Sequence, residues 1–399
     1  MHNNKIILAL APLLLLLATI TASGAPPGHS SKPKPSTVRE AFYKQRMEDT
    51  SLSLETRIAY MDSLLALNPE DYSIRMVKSD MCSRIGRYGE AAKEYIILYR
   101  NHSASLGQFN TLRAIKRAAE TLVLANRQSE AAQIALELLH YPKPDSLRHY
   151  DLAAENLVIS QALFASDTAF VKKYLTRQRA EIDELASTGL LRKYDELQFK
   201  CVMESNLTTL LCMQGRLDEA LAAAKVSKKY ASTRTDTILV DLSIADIYRR
   251  MGQYDIARTY YERYADDENI YFSSRQQRVD YADILFRQGD VSHALEIIDT
   301  PDPESIDDAI EINRLKLKAD IMSSLGRWNE AYNCLSHAAC IEDSLSVGGN
   351  PYAMAVRDFE LGDEQYRKEA AERRAIQWRT STWIMAVMLI LALIAIVLL

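Results

Sequence analysis

The 399-residue sequence lacks every common catalytic signature. It has no phosphate-cradling glycine loop, no His-Glu-x-x-His pair and no Cys-x-x-Cys, which removes the usual nucleotide, zinc-hydrolase and dithiol sites. Its seven histidines are scattered without an i,i+4 pair, so no helix offers two imidazoles to one metal ion. Cysteine is scarce and odd in number, and five residues make no disulfide framework. Cys201 and Cys212 lie three turns apart on one predicted helix, and Cys334 and Cys340 nearly two turns apart on another. A bridge needs Cα atoms within about 7 Å, so neither pair closes, and buried free thiols are expected. A basic surplus is missing as well. Lys5 is the one charge in the first 24 residues, and the remaining 47 Lys and Arg face 53 Asp and Glu, a net charge of −6. That balance gives no electrostatic footprint for nucleic acid. The expectation is no catalytic residue, no cofactor, no metal and no nucleic-acid partner.

Long apolar runs occur only at the two ends. Met1–Gly24 has a positive n-region at Lys5, an apolar stretch Ile6–Ile20 broken by Pro12, and small residues Ala22-Ser23-Gly24 for cleavage. At about 15 residues the stretch is short for a membrane span, and a cleaved signal peptide at 1–24 is expected. Residues 25–36 carry four prolines and read as a tether. At the other end Trp383–Leu399 holds no charge, and 381–399 rises about 28 Å as a helix, one hydrocarbon thickness. Trp378 and Trp383 sit where interfacial aromatics anchor a span. Lys368, Arg373, Arg374 and Arg379 precede the run and no charge follows it, against the positive-inside rule. A basic intracellular extension after Leu399 would resolve the conflict. The expected placement is a single pass through the inner membrane, with the region before it on the periplasmic side.

Between the ends the chain repeats. Gly215, Gly252, Gly289 and Gly326 stand 37 residues apart, each followed five residues later by Ala220, Ala257, Ala294 or Ala331. Ala245-Asp246-Ile247, Ala282-Asp283-Ile284 and Ala319-Asp320-Ile321 recur at the same register before the last three glycines. A fixed period of this size marks a solenoid whose units bury their apolar faces against one another. Glycine ends the first helix of each unit in a left-handed conformation, and alanine lets the second helix approach closely. Gly86-Arg-Tyr88-Gly-Glu-Ala91 is an earlier copy and Asn126–Ala131 a weaker one. The 89 residues from Asn126 to Gly215 leave room for one degenerate pair over Leu147–Ser187, after a bend at Tyr141–Pro144. Thr37–Leu67 reads as a first pair.

Gly252-Gln-Tyr254-Asp-Ile-Ala257 and Gly326-Arg-Trp328-Asn-Glu-Ala331 resemble the turn and second helix of the tetratricopeptide repeat. The resemblance covers about Thr37–Asp343 and implies an all-α, right-handed solenoid of about eight helical pairs over 37–345, best formed over 196–345. In that family the positions of Asp246 and Arg250 face a concave groove that holds peptides. Carried over by register, they give Asp80/Arg84, Asp246/Arg250, Asp283/Arg287 and Asp320, with Phe286, Met213 and Cys212 as a candidate apolar pocket. Each Asp-x-x-x-Arg is equally an i,i+4 pair that stabilises a solvated helix by about 0.2–0.5 kcal/mol. Asp320, with Ser324 in place of arginine, has no such partner.

After the repeats, 351–380 reads as a charged juxtamembrane helix. Val356, Phe359, Tyr366 and Ala370 form a rough stripe interrupted by Asp363 and Arg373. A solvated connector is expected, with a homodimer through this stripe as the alternative. The layout resembles the sensory half of bacterial membrane sensor kinases and regulators, and implies an exported module for protein or peptide binding. The alternatives are a passive envelope scaffold ending at Leu399, or part of a histidine kinase whose catalytic domain lies outside this chain.

Overall fold

A computed structural model describes residues 35–264, 275–300 and 308–398. The expected signal peptide at 1–24 and most of the tether at 25–36 lie outside the described residues. Among those residues the fold is all helix and turn. Sixteen helices run in sequence as eight antiparallel hairpins. They are α1 (Pro35–Glu48) with α2 (Leu54–Leu67), α3 (Tyr72–Arg84) with α4 (Tyr88–Asn101), α5 (Ser103–Leu124) with α6 (Gln128–His140), and α7 (His149–Phe164) with α8 (Thr168–Ser187). The chain continues with α9 (Lys193–Met213) and α10 (Leu217–Tyr230), α11 (Arg234–Arg250) and α12 (Tyr254–Glu262), α13 (Arg275–Arg287) and α14 (Val291–Asp299), then α15 (Asp308–Ser324) and α16 (Trp328–Gly348). Each second helix packs on the first helix of the next hairpin, and the odd-numbered helices from α5 to α15 also touch in series. That connectivity is a solenoid.

One turn is repeated through the stack. Gly86, Gly215, Gly252, Gly289 and Gly326 all sit at φ between 72 and 86°, and Asn126 and Ser166 adopt the same hand at 57 and 59°. The residue after each donates its backbone N–H to a carbonyl five positions earlier, as in Arg87 to Cys82, Asp167 to Ala162 and Gln253 to Tyr248, all at 2.9 Å. This bond closes a Schellman cap and frees the chain to reverse. Five residues on, Ala91, Ala131, Val171, Ala220, Ala257, Ala294 and Ala331 are buried, where a small or branched side chain permits close approach. Ser166 supplies the turn of the degenerate pair expected across Leu147–Ser187.

The last helix departs from expectation. Gly349 (φ 75°) ends α16, and the Asn350 side chain accepts the N–H groups of Tyr352 and Ala353 at 2.9 and 3.3 Å. With Pro351 at its first position, α17 (Pro351–Leu398) then turns back along α6 and α7. Its first turns, 351–363, are not a solvated connector, whereas the described side chains from 364 to 380 are exposed as expected. Tyr352, Ala355, Val356, Phe359 and Asp363 are buried, and Ala355, Val356 and Phe359 join the largest core among the described residues, which runs from Ile58 to Leu210. Phe359 meets the rings of Phe170 and Tyr174, Tyr352 stacks on Phe164 at 5.2 Å, and Tyr366 stacks on His140 at 3.8 Å. Gly362 passes so close to Leu136 that a Cβ would collide with its methyl groups. Asp363 accepts from the Tyr174 hydroxyl and from Arg177, each at 3.0 Å, and from Arg367 at 2.9 Å. The residue that interrupted the stripe is therefore the polar centre of the docking site. Val356 and Phe359, two of the four stripe residues, are spent inside the chain and are not free for a coiled coil.

Beyond this docked part the backbone of α17 stays helical to Leu398. Among the described residues no helix is long and apolar enough to cross a membrane. The expected span at 381–399 falls largely beyond that statement, because the side chains from 386 onward lie outside the described residues.

Candidate functional site

The odd-numbered helices α9, α11, α13 and α15 lie side by side, and their exposed edges form a groove of two adjoining depressions. The first, about 270 Å³, is lined by Thr208, Cys212, Met213, Leu239, Leu242, Asp246 and Tyr261 among others. The second, about 380 Å³, runs from Arg249 and Asp283 to Arg287, Asn313, Leu317 and Asp320. Arg250, Gln276 and Asp280 line both, so the depressions are continuous.

The 37-residue period explains why these groups converge. Asp246, Asp283 and Asp320 occupy one register on successive helices, and stacking brings them into a row. Two of the three expected helical pairs form: Arg250 reaches Asp246 at 2.8 Å and Arg287 reaches Asp283 at 3.1 Å. Asp320 is exposed and takes no ion-pair partner among the described residues.

Arg249 ties the row together. Its guanidinium meets Asp246 at 2.6 Å, Asp283 at 2.7 Å and Asp280 at 3.3 Å, joining α11 to α13. Burial opposes its charge, but Asp280 and Asp246 outweigh that and raise its pKa. Asp280 is buried under the groove and accepts from Gln276 at 2.9 Å. Burial first, and the nearby Asp246 second, push its carboxyl up to about 7, against the pull of Arg249. Sequence reasoning missed Arg249, Gln276 and Asp280. Arg249 was within reach, since it stands i+3 from Asp246 and one period minus three from Asp283.

The N-terminal members do not join the groove. Asp80 accepts from the Tyr95 hydroxyl and faces Arg113 at 3.6 Å, while Arg84 points to solvent without pairing to Asp80. The next hairpin keeps a carboxylate, Glu120, at the same register, but Ser160 and Thr209 follow it and break the acidic row. Phe286 is half-buried against the core of α11–α15, with Arg287 over its ring at 5.8 Å, and does not line the groove. Cys212 and Met213 do line it.

Residues 242–300, which run from the second half of α11 through α14, match the tetratricopeptide repeat family. No curated protein matches the sequence. Similar solved structures include a tetratricopeptide repeat protein from Parabacteroides merdae, 12% identical over 65% of this chain and 91% of its own, with a TM-score of 0.44. A Rap protein complexed with Competence and Sporulation Factor is 13% identical over 84% of this chain and 92% of its own, with a TM-score of 0.49. The P58(IPK) TPR domain is 11% identical over 84% of this chain and 99% of its own, with a TM-score of 0.22.

Proposed function

We propose that this chain, which carries tetratricopeptide repeats, a family of protein–protein interaction modules, captures an extended protein or peptide segment in the groove across α9–α15. The observation that carries the proposal is the contrast along the acidic row. Asp246 and Asp283 are neutralised by Arg249, Arg250 and Arg287, whereas Asp320 at one end is exposed and has no ion-pair partner among the described residues. Met213, Leu239 and Leu242 provide an apolar floor at the other end. Three helix-to-helix steps of about 8–10 Å separate the ends, so a bound extended segment spans roughly eight residues between an apolar and a basic side chain.

The apolar run at 381–399 supports membrane attachment and the apolar stretch within 1–24 supports export, and on that reading the groove faces the periplasm. In that setting the protein is the ligand-binding part of a signalling assembly. The test uses a library of extended peptides on the purified full chain. Peptides with one basic and one apolar anchor at that spacing bind, and Asp320→Ala weakens them about tenfold while helicity is unchanged. Equal binding by the variant sinks the proposal. Asp320 is the cleaner probe than Asp246 or Asp283, whose loss leaves Arg249 under-compensated.

A further inference from the structure

We infer that α16 is the contact surface between two copies of this chain. The inference stands apart from what the groove binds. It rests on a comparison the protein makes with itself. Tyr95, Ala135, Leu175, Ala224, Tyr261 and Ile298 each lie nine residues after the turn of their hairpin, and none is more than 7% exposed, because the next hairpin covers them. Leu335 holds that same register after Gly326 and is 50% exposed. Trp328 and Tyr332, at i−7 and i−3 on the same face, are 67% and 71% exposed, and Leu325 beside them is 47% exposed. At the register of Leu335 the stack ends on an apolar side chain of the kind it buries in the six preceding hairpins, and Trp328 and Tyr332 widen the exposed apolar face.

The chain does not cover that face with its own next helix. Gly349, Asn350 and Pro351 send α17 away to α6 and α7. A second copy fits it by size and by chemistry. The four side chains expose roughly 500 Å² per copy, close to the largest patch a monomer tolerates, and two copies face to face bury about 1,000 Å², the threshold for a specific interface. The opposite end of the stack does not match it. On α1 the exposed apolar residue Phe42 stands among Gln45, Glu48 and Asp49 with the Arg46 guanidinium over its ring at 5.5 Å. Like therefore packs on like, and the contact closes as a two-fold dimer rather than a head-to-tail chain.

The experiment measures the mass of the full chain in detergent by light scattering, across a hundredfold dilution. The expected result is a dimer that dissociates on dilution. Leu335→Arg and Tyr332→Asp, at positions already open to solvent, weaken it at least about thirtyfold with unchanged circular dichroism. In a Cys340→Ser background, Leu335→Cys or Tyr332→Cys yields a covalent dimer under mild oxidation, and Phe42→Cys does not. A single-chain mass at every concentration overturns the inference. So does a dimer indifferent to both substitutions, or growth beyond two copies.

Discussion

At the scale of single residues, the turn chemistry explains both what the chain discloses and what it withholds. Gly215, Gly252, Gly289 and Gly326 announce their turns because only glycine takes φ near +75° without cost, and Asn126 is the next best residue for it. Ser166 makes the same turn and gives no such signal, since serine in that region is uncommon. Buried titratable groups were less legible still, because their state depends on what stacks over them. Glu155 on α7 is fully buried beside Arg177 at 2.7 Å. Burial dominates, with Arg177 opposing and Glu181, Asp363 and Asp151 adding, and the carboxyl is raised from 4.5 to about 8. Between those two values the folded chain holds a proton that the unfolded chain has released. Stability therefore falls as pH rises through that window, and the loss is complete above it. Glu155→Gln removes the titration and leaves Arg177 paired with Asp363. Thermal unfolding should find the variant about 1–3 kcal/mol more stable than the parent at pH 9, with the gain vanishing near pH 4. A pH-independent difference would show that Glu155 does not titrate in this window.

At the scale of elements, periodicity reveals hairpins but not their long-range partners. About eight pairs are expected and eight are found among the described residues, because each hairpin satisfies its neighbours with residues about 37–49 positions apart. The docking of α17 escapes such reasoning. A stripe of Val356, Phe359 and Tyr366 suits a coiled coil or a surface of the same chain equally well. The choice is made by Phe170, Tyr174 and His140, some 185–225 residues earlier in the sequence. Asp363 reads as a flaw in a dimer seam and as a necessity once Tyr174 and Arg177 are known to donate to it. Phe359 is among the largest fully buried side chains, so Phe359→Ala should cost the docked segment about 3 kcal/mol. Amide exchange over 351–366 should then accelerate roughly a hundredfold, while exchange in α11–α15 stays as in the parent. Unaltered exchange at 351–366 would mean that the helix is held by something other than this contact.

At the scale of the whole molecule, the half with the clearest repeats is the half with the thinner core. One continuous cluster joins α2 through α9 to Ala355, Val356 and Phe359 of α17, whereas α9–α16 divide into four smaller clusters. A plain solenoid has only neighbour contacts, and its stability is a near-additive sum along the stack. Here α17 adds contacts between residues almost 190 positions apart, such as Tyr174 with Asp363, and directly reinforces the third and fourth hairpins. Releasing α11–α16 while α17 remains docked leaves a loop of roughly 120 residues, between Tyr230 and Pro351. The closure cost of such a loop grows only with the logarithm of its length. Partial unfolding from the C-terminal hairpins is thus affordable, and native-state hydrogen exchange in rising urea should separate two groups. Amides of α11–α16 should open first, and those of α3–α8 together with 351–366 should open later and as one unit. Removal of residues 350–399 should pull the second group toward the first. Simultaneous opening of all helices in the intact chain would show that the neighbour contacts across α9 and α10 transmit stability without a break, and that α17 adds nothing to it.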